Sequence, residues 1–132
     1  MNPVEPRLRE HPEARFAAPE HVFDLNEAAA RLRSEAPVGQ RGYRQTALYR
    51  EAPLTMVLFA FEAGGAMPEH ATPGVVTIQV IEGALTVQTP EHTHELTAGA
   101  VLVLAPNERH GVRAGQASLM LLTIHLEKEA PK

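Results

Sequence analysis

The chain has 132 residues, with 12 Lys and Arg against 16 Asp and Glu (formal net charge −4), 7 His, 11 Pro and no Cys. That length fits one domain and lets the chain bury roughly two-thirds of its unfolded surface, so one sizeable core forms without staples. The missing cysteine excludes disulfides, thiolate nucleophiles and Cys-based zinc or iron–sulfur sites, and the acidic balance argues against a phosphate-backbone binder.

Residues 1–22 carry Pro3, Pro6, Pro12 and Pro19 among charged residues. Proline removes backbone donors and fixes φ, so this segment is expected to be an extended arm, free or laid across a second subunit. It lacks the apolar run of a signal peptide, and no later stretch approaches the roughly 18–20 apolar residues of a membrane helix, so the expected address is the cytoplasm.

Residues 23–42 read as one helix and a linker. Asp24 followed by Glu27 is a capping-box pattern, and Leu25, Ala28, Ala29 and Leu32 recur at the spacing of one helical face before Pro37 and Gly39 end the pattern.

From Tyr43 short apolar runs recur: 43–50, 54–62, 75–81, 84–89, 92–96, 101–106, 110–114 and 117–127. Gly- and Pro-containing turns separate them, which reads as an antiparallel all-β sandwich or barrel over residues 43–132. Glu82-Gly83 between two such runs is a tight-hairpin signal. The 54–62 run, LTMVLFAFE, is apolar on both faces and predicts a buried second face. Arg41, Arg44 and Arg50 lie near Tyr43 and Tyr49, as a small basic, aromatic patch or as a solvated strand face.

Two segments carry a resemblance. GGAMPEHATPGVVTIQVIEGALTV (64–87) and GAVLVLAPNERHGV (99–112) resemble the two signature motifs of the cupin superfamily. Gly64, His70 and Gly83 match the first motif. Gly99, Pro106 or its neighbour, and His110 match the second, with Asn107 in a glycine slot. Asn is the residue that best replaces Gly at positive φ. The resemblance implies an RmlC-like jelly-roll β-barrel, an all-β fold with one short N-terminal helix, and it implies a homodimer.

Cupins that hold a metal usually do so with two His and a Glu from the first motif and a His from the second. Here the second His position is Thr72 and the Glu position is Val76. Of the implied metal ligands only His70 and His110 remain. Two imidazoles fall short of a zinc site and lack the carboxylate of the non-haem iron triad. Strand alternation turns Glu69 away from His70 and Gln79 away from Val76, so neither replaces the missing donors unless a bulge shifts the register.

The leading expectation is therefore a small-molecule pocket lined by Met67, His70, Thr72, Val76, Ile78, Val80 and His110. The alternatives are a metal-dependent enzyme of dioxygenase, isomerase or lyase type using Fe, Mn, Ni or Zn at His70 and His110, and a non-catalytic dimeric interaction module. His92 and His94 share a strand face at period two. His125 reads as an end-of-strand polar residue, and His11 and His21 carry no readable role.

Overall fold

The computed structural model describes residues 16–35 and 37–126. The expectation for the arm falls outside them for residues 1–15. Residues 16–23 lie on their own chain: Phe16 is buried, and its ring packs edge-on to Tyr49 at 5.4 Å between centroids. His21 stacks on Phe23 at 5.9 Å and meets Tyr49 at 5.2 Å, so this part of the arm covers the first strand.

Helix α1 spans Leu25–Glu35. Asp24 caps it, its Oδ1 accepting the Glu27 amide at 3.0 Å, which satisfies one of the donors a helix start leaves unpaired. Ala29 and Leu32 are its buried residues, as the apolar spacing predicts.

Nine strands follow: β1 Tyr43–Glu51, β2 Leu54–Phe61, β3 Ala66–His70, β4 Val75–Glu82, β5 Ala84–Gln88, β6 Thr93–Thr97, β7 Val101–Leu104, β8 His110–Ala114 and β9 Ser118–His125. They form a five-stranded sheet in the order β1-β2-β9-β4-β7 and a four-stranded sheet in the order β3-β8-β5-β6, with every pairing antiparallel. The all-β architecture is as expected. Eight strands coincide with the apolar runs. The ninth, β3, escapes hydropathy because its sequence, AMPEH, contains a proline and two polar residues.

The Glu82-Gly83 signal marks a different turn from the one predicted. β4 and β5 belong to different sheets, so the bend at Gly83 (φ 86°) is a corner between sheets and not a hairpin. Ser118 of β9 pins that corner: it is fully buried, and its Oγ lies 3.0 Å from both the Ala84 amide and the Ala84 carbonyl. A Cβ at Gly83 would collide with Ser118, so glycine is required there by contact as well as by conformation.

The two sheets enclose one core, in which Phe59, Phe61, Ile78, Leu85, Val87, Val112 and Met120 are among the buried side chains. A second cluster lies on the outer side of the five-stranded sheet, where Ala29 and Leu32 of α1 cover Leu58, Ala60, Leu119 and Leu121. The second face of β2 is thus buried as expected, by this chain's own helix. Arg33 of α1 pairs with Glu82 at 3.3 Å and helps fix the helix there. The basic, aromatic patch does not form. Tyr43 packs inward against Phe59 and Phe61, Tyr49 lies under Phe16, and Arg44 pairs with Glu62 at 2.7 Å. No helix among the described residues is long and apolar enough to cross a membrane.

Candidate functional site

β3 and β8 lie side by side with His70 directly opposite His110. Met67 is opposite Val112, so Pro68 and Glu69 together face Gly111 alone. This is a β-bulge, one extra residue on β3. Without it Met67 and His70, three residues apart, would point to opposite faces. The bulge lets Met67 pack against the inner core while His70 meets His110. It does not bring Glu69 in, since Glu69 pairs with Arg109 at 3.1 Å.

The two imidazole centroids are 4.4 Å apart with a tilt of 55°. His110 is 1% exposed, and His70 is half-buried. Each ring is tied to the backbone two residues before it: His70 Nδ1 lies 2.9 Å from the Pro68 carbonyl, and His110 Nδ1 lies 3.0 Å from the Glu108 carbonyl. A carbonyl oxygen only accepts, so each Nδ1 carries the donated proton. In a neutral ring Nε2 is then a bare lone pair. Neither Nε2 hydrogen-bonds to a described residue.

Burial pushes the His110 pKa below its ordinary value of 6.5, and the neighbouring His70 adds to that shift. The hydrogen bond to the Glu108 carbonyl and the Glu108 charge work the other way without reversing it. His110 is therefore neutral at pH 7, with its Nε2 an acceptor.

The turn before β8 holds this geometry. Asn107 adopts φ 67°, as its place in a glycine slot implies, and its amide donates to the Thr72 carbonyl at 2.7 Å. That bond ties the segment after β3 to the turn leading into His110. Thr72 itself is half-buried.

The other pocket residues lie deeper. Val76 is 2% exposed, Ile78 and Val80 are fully buried, and all three are packed in the inner core with Met67 against them. The sequence-predicted lining thus divides into half-buried His70 and Thr72, buried His110, and a packed group of Val76, Ile78 and Val80. Gln79 alternates away from Val76. His94 is opposite Val87, on the inner face of β6, with the His92 ring 5.7 Å away. His125 ends β9 and is exposed, as read from the sequence.

Among the described residues no group of three or more His, Cys, Asp or Glu is placed to hold a metal ion. Two nitrogen donors with a threonine and a buried valine at the remaining family positions do not fit a resident Fe, Mn, Ni or Zn centre, which takes three or four protein ligands or a carboxylate.

A cavity of about 470 Å³ opens on the opposite, outer face of the four-stranded sheet, beside Glu69, Thr86, Gln88, Gly111 and Arg113. Sequence reasoning missed it, because it depends on which strands become neighbours.

Residues 57–125 match the family model described as cupin domain. Among solved structures, a conserved protein of unknown function from Streptococcus pyogenes aligns with a TM-score of 0.67 at 19% identity, over 86% of this chain and 94% of that one. An RmlC-like cupin protein from Desulfovibrio desulfuricans aligns at 0.61 and 27% identity, over 68% and 88%. KdgF from a Halomonas species aligns at 0.60 and 21% identity, over 67% and 82%. No functionally curated protein matches the chain.

Proposed function

The chain belongs to the cupin domain family, and we propose that it is a small-molecule-binding cupin whose site is the His70–His110 pair with Thr72, without a resident metal. The observation that carries this reading is the fixed orientation of the two rings. Both Nδ1 atoms are committed to backbone carbonyls, which leaves two neighbouring Nε2 atoms to meet the ligand. Bare imidazole nitrogens accept hydrogen bonds, so the ligand class is one that presents donors there, a hydroxyl or amino compound, with its apolar part against Met67.

The chain's own residues do three things in this reading. Burial keeps His110 unprotonated, so it accepts at neutral pH. The Asn107–Thr72 bond holds the two site segments together. The packed group of Val76, Ile78 and Val80 limits how deeply a ligand enters. A metal-dependent activity would need donors beyond the two imidazoles, and for that reason it ranks second.

The reading is tested by thermal-shift and NMR screening of the wild-type protein against hydroxyl- and amino-bearing small molecules. The expected result is a saturable shift of the His70 and His110 ring signals, lost in His70→Ala and His110→Ala. Compounds that leave both rings unmoved, or that bind equally well to both variants, would overturn it.

A further inference from the structure

We propose a second binding site, on the outer face of the four-stranded sheet, for a small oxyanion such as a carboxylate or phosphate, anchored by Arg113. The site is separate from the histidine pair. Along β8, His110, Val112 and Ala114 are buried, so Gly111 and Arg113 occupy the other face. Along β5, Leu85 and Val87 are buried, and Thr86 and Gln88 lie on the outer face beside them. The register sets Arg113 opposite Thr86 and Gly111 opposite Gln88. These residues border the cavity of about 470 Å³, a volume suited to a small ligand.

Two observations point to a ligand. The first is Gly111. Glycine inside a strand costs roughly 0.5–1 kcal/mol relative to alanine, so it calls for a reason. Conformation is not the reason, because Gly111 is not among the glycines of positive φ. Packing against the bulge is not the reason either. A Cβ there would sit 3.5 Å from the Glu69 amide nitrogen and the Met67 carbonyl oxygen, an ordinary contact. What the missing side chain does is keep the cavity floor open, the close-approach role of a strand glycine.

The second observation is the charge arrangement. Arg31, Arg33, Arg44 and Arg109 are paired with Glu35, Glu82, Glu62 and Glu69. Arg41, Arg50 and Arg113 have no ion pair to a described residue, and of these three only Arg113 lines the cavity. Of the nearby carboxylates, Glu69 is neutralised by Arg109, and Glu95, which is not part of the lining, keeps its charge and accepts the Thr86 hydroxyl at 2.8 Å. Arg113 is thus the uncompensated charge in the wall, and a guanidinium matches an oxyanion with two parallel hydrogen bonds. The Gln88 amide beside it supplies a further donor.

The test is an amide-resolved NMR titration of the full chain with succinate and, separately, inorganic phosphate, at pH 7 and low ionic strength against matched sodium chloride. Saturable shifts centred on Gly111, Arg113 and Gln88 are expected for at least one probe, and the probe that saturates identifies the oxyanion. Arg113→Gln should weaken binding at least tenfold, and Gly111→Leu, which fills the floor, should do the same. His70→Ala should leave it unchanged, which separates this site from the histidine pair. Overturning results would be no saturation by either probe beyond the chloride control, or equal binding by Arg113→Gln with the fold intact.

Discussion

Restoring the two missing donors should turn the histidine pair into a metal site and, without metal, should damage the core. In Thr72→His/Val76→Glu the first change falls on a half-buried position and costs within about 0.5 kcal/mol. The second falls on a side chain only 2% exposed in the inner core. Losing the buried valine forfeits about 1.5–3 kcal/mol. Burial raises the pKa of the new acid, and a rise of about two units costs roughly 2.7 kcal/mol above pH 7, where the acid is ionised. The sum, roughly 4–6 kcal/mol, is a large share of a typical total of about 5–15 kcal/mol. For a chain of this length it lowers the melting temperature by about 15–25 °C, taking about 4 °C per kcal/mol.

A metal at 1,000 times its Kd returns about 4.1 kcal/mol, most of the loss. Differential scanning fluorimetry with and without Zn²⁺ or Ni²⁺ reads both effects. The double variant should melt low alone and recover with metal, while the wild type moves by no more than a few degrees. A wild type that gains as much as the variant would refute the claim that its donor set is insufficient. A double variant that gains nothing would refute the placement of positions 72 and 76 beside the histidines that the family motif implies.

Three further outcomes are expected. Because folding lowers the His110 pKa, the unfolded chain holds the extra proton between that lowered value and 6.5; stability is full above pH 6.5 and falls as pH drops through that window. Denaturant titrations from pH 8 to 5 should show this decline in the wild type and a flatter profile in His110→Gln; identical slopes would contradict the assignment. Ser118→Ala leaves the Ala84 amide and carbonyl at the β4–β5 corner without their partner and should cost about 1–3 kcal/mol by chemical denaturation, whereas a loss below 0.5 kcal/mol, taken as roughly the surface-substitution level, would remove its role as a pin. Light scattering at micromolar concentration should give a dimer, with Val101 and Val103, 54% and 62% exposed on the edge strand β7, as the candidate contact; a monomer, or a dimer indifferent to Val103→Lys, would rule that contact out.

Much of this fold was legible because local chemistry and tertiary structure agree. The Asp24 cap, the Leu25–Leu32 helical face and the positive φ of Asn107 each follow from the preferences of the residue concerned. The juxtaposition of His70 and His110 followed from the motif resemblance. What was not legible depends on which strands become neighbours. β3 hides behind Pro68, and the bulge beside it, which lets both Met67 and His70 serve the interior, exists only relative to β8. Gly83 announces a tight turn but not whether the next strand returns to the same sheet. The doubly apolar β2 announces a buried second face but not that α1 covers it. The outer cavity needs Gly111 and Arg113 to meet Thr86 and Gln88 across a strand pair, and no local signal encodes that. Val76 is legible as a missing ligand but not as part of a packed group.

In the proposed site His70 and His110 present bare Nε2 atoms side by side, because both Nδ1 protons are held by backbone carbonyls. Long-range ¹H–¹⁵N correlation of the histidine rings at pH 8 measures this directly. The proton is expected on Nδ1 in both rings, with Nε2 the nitrogen whose shift moves when a hydroxyl or amino ligand binds. A proton on Nε2 in either ring would contradict it.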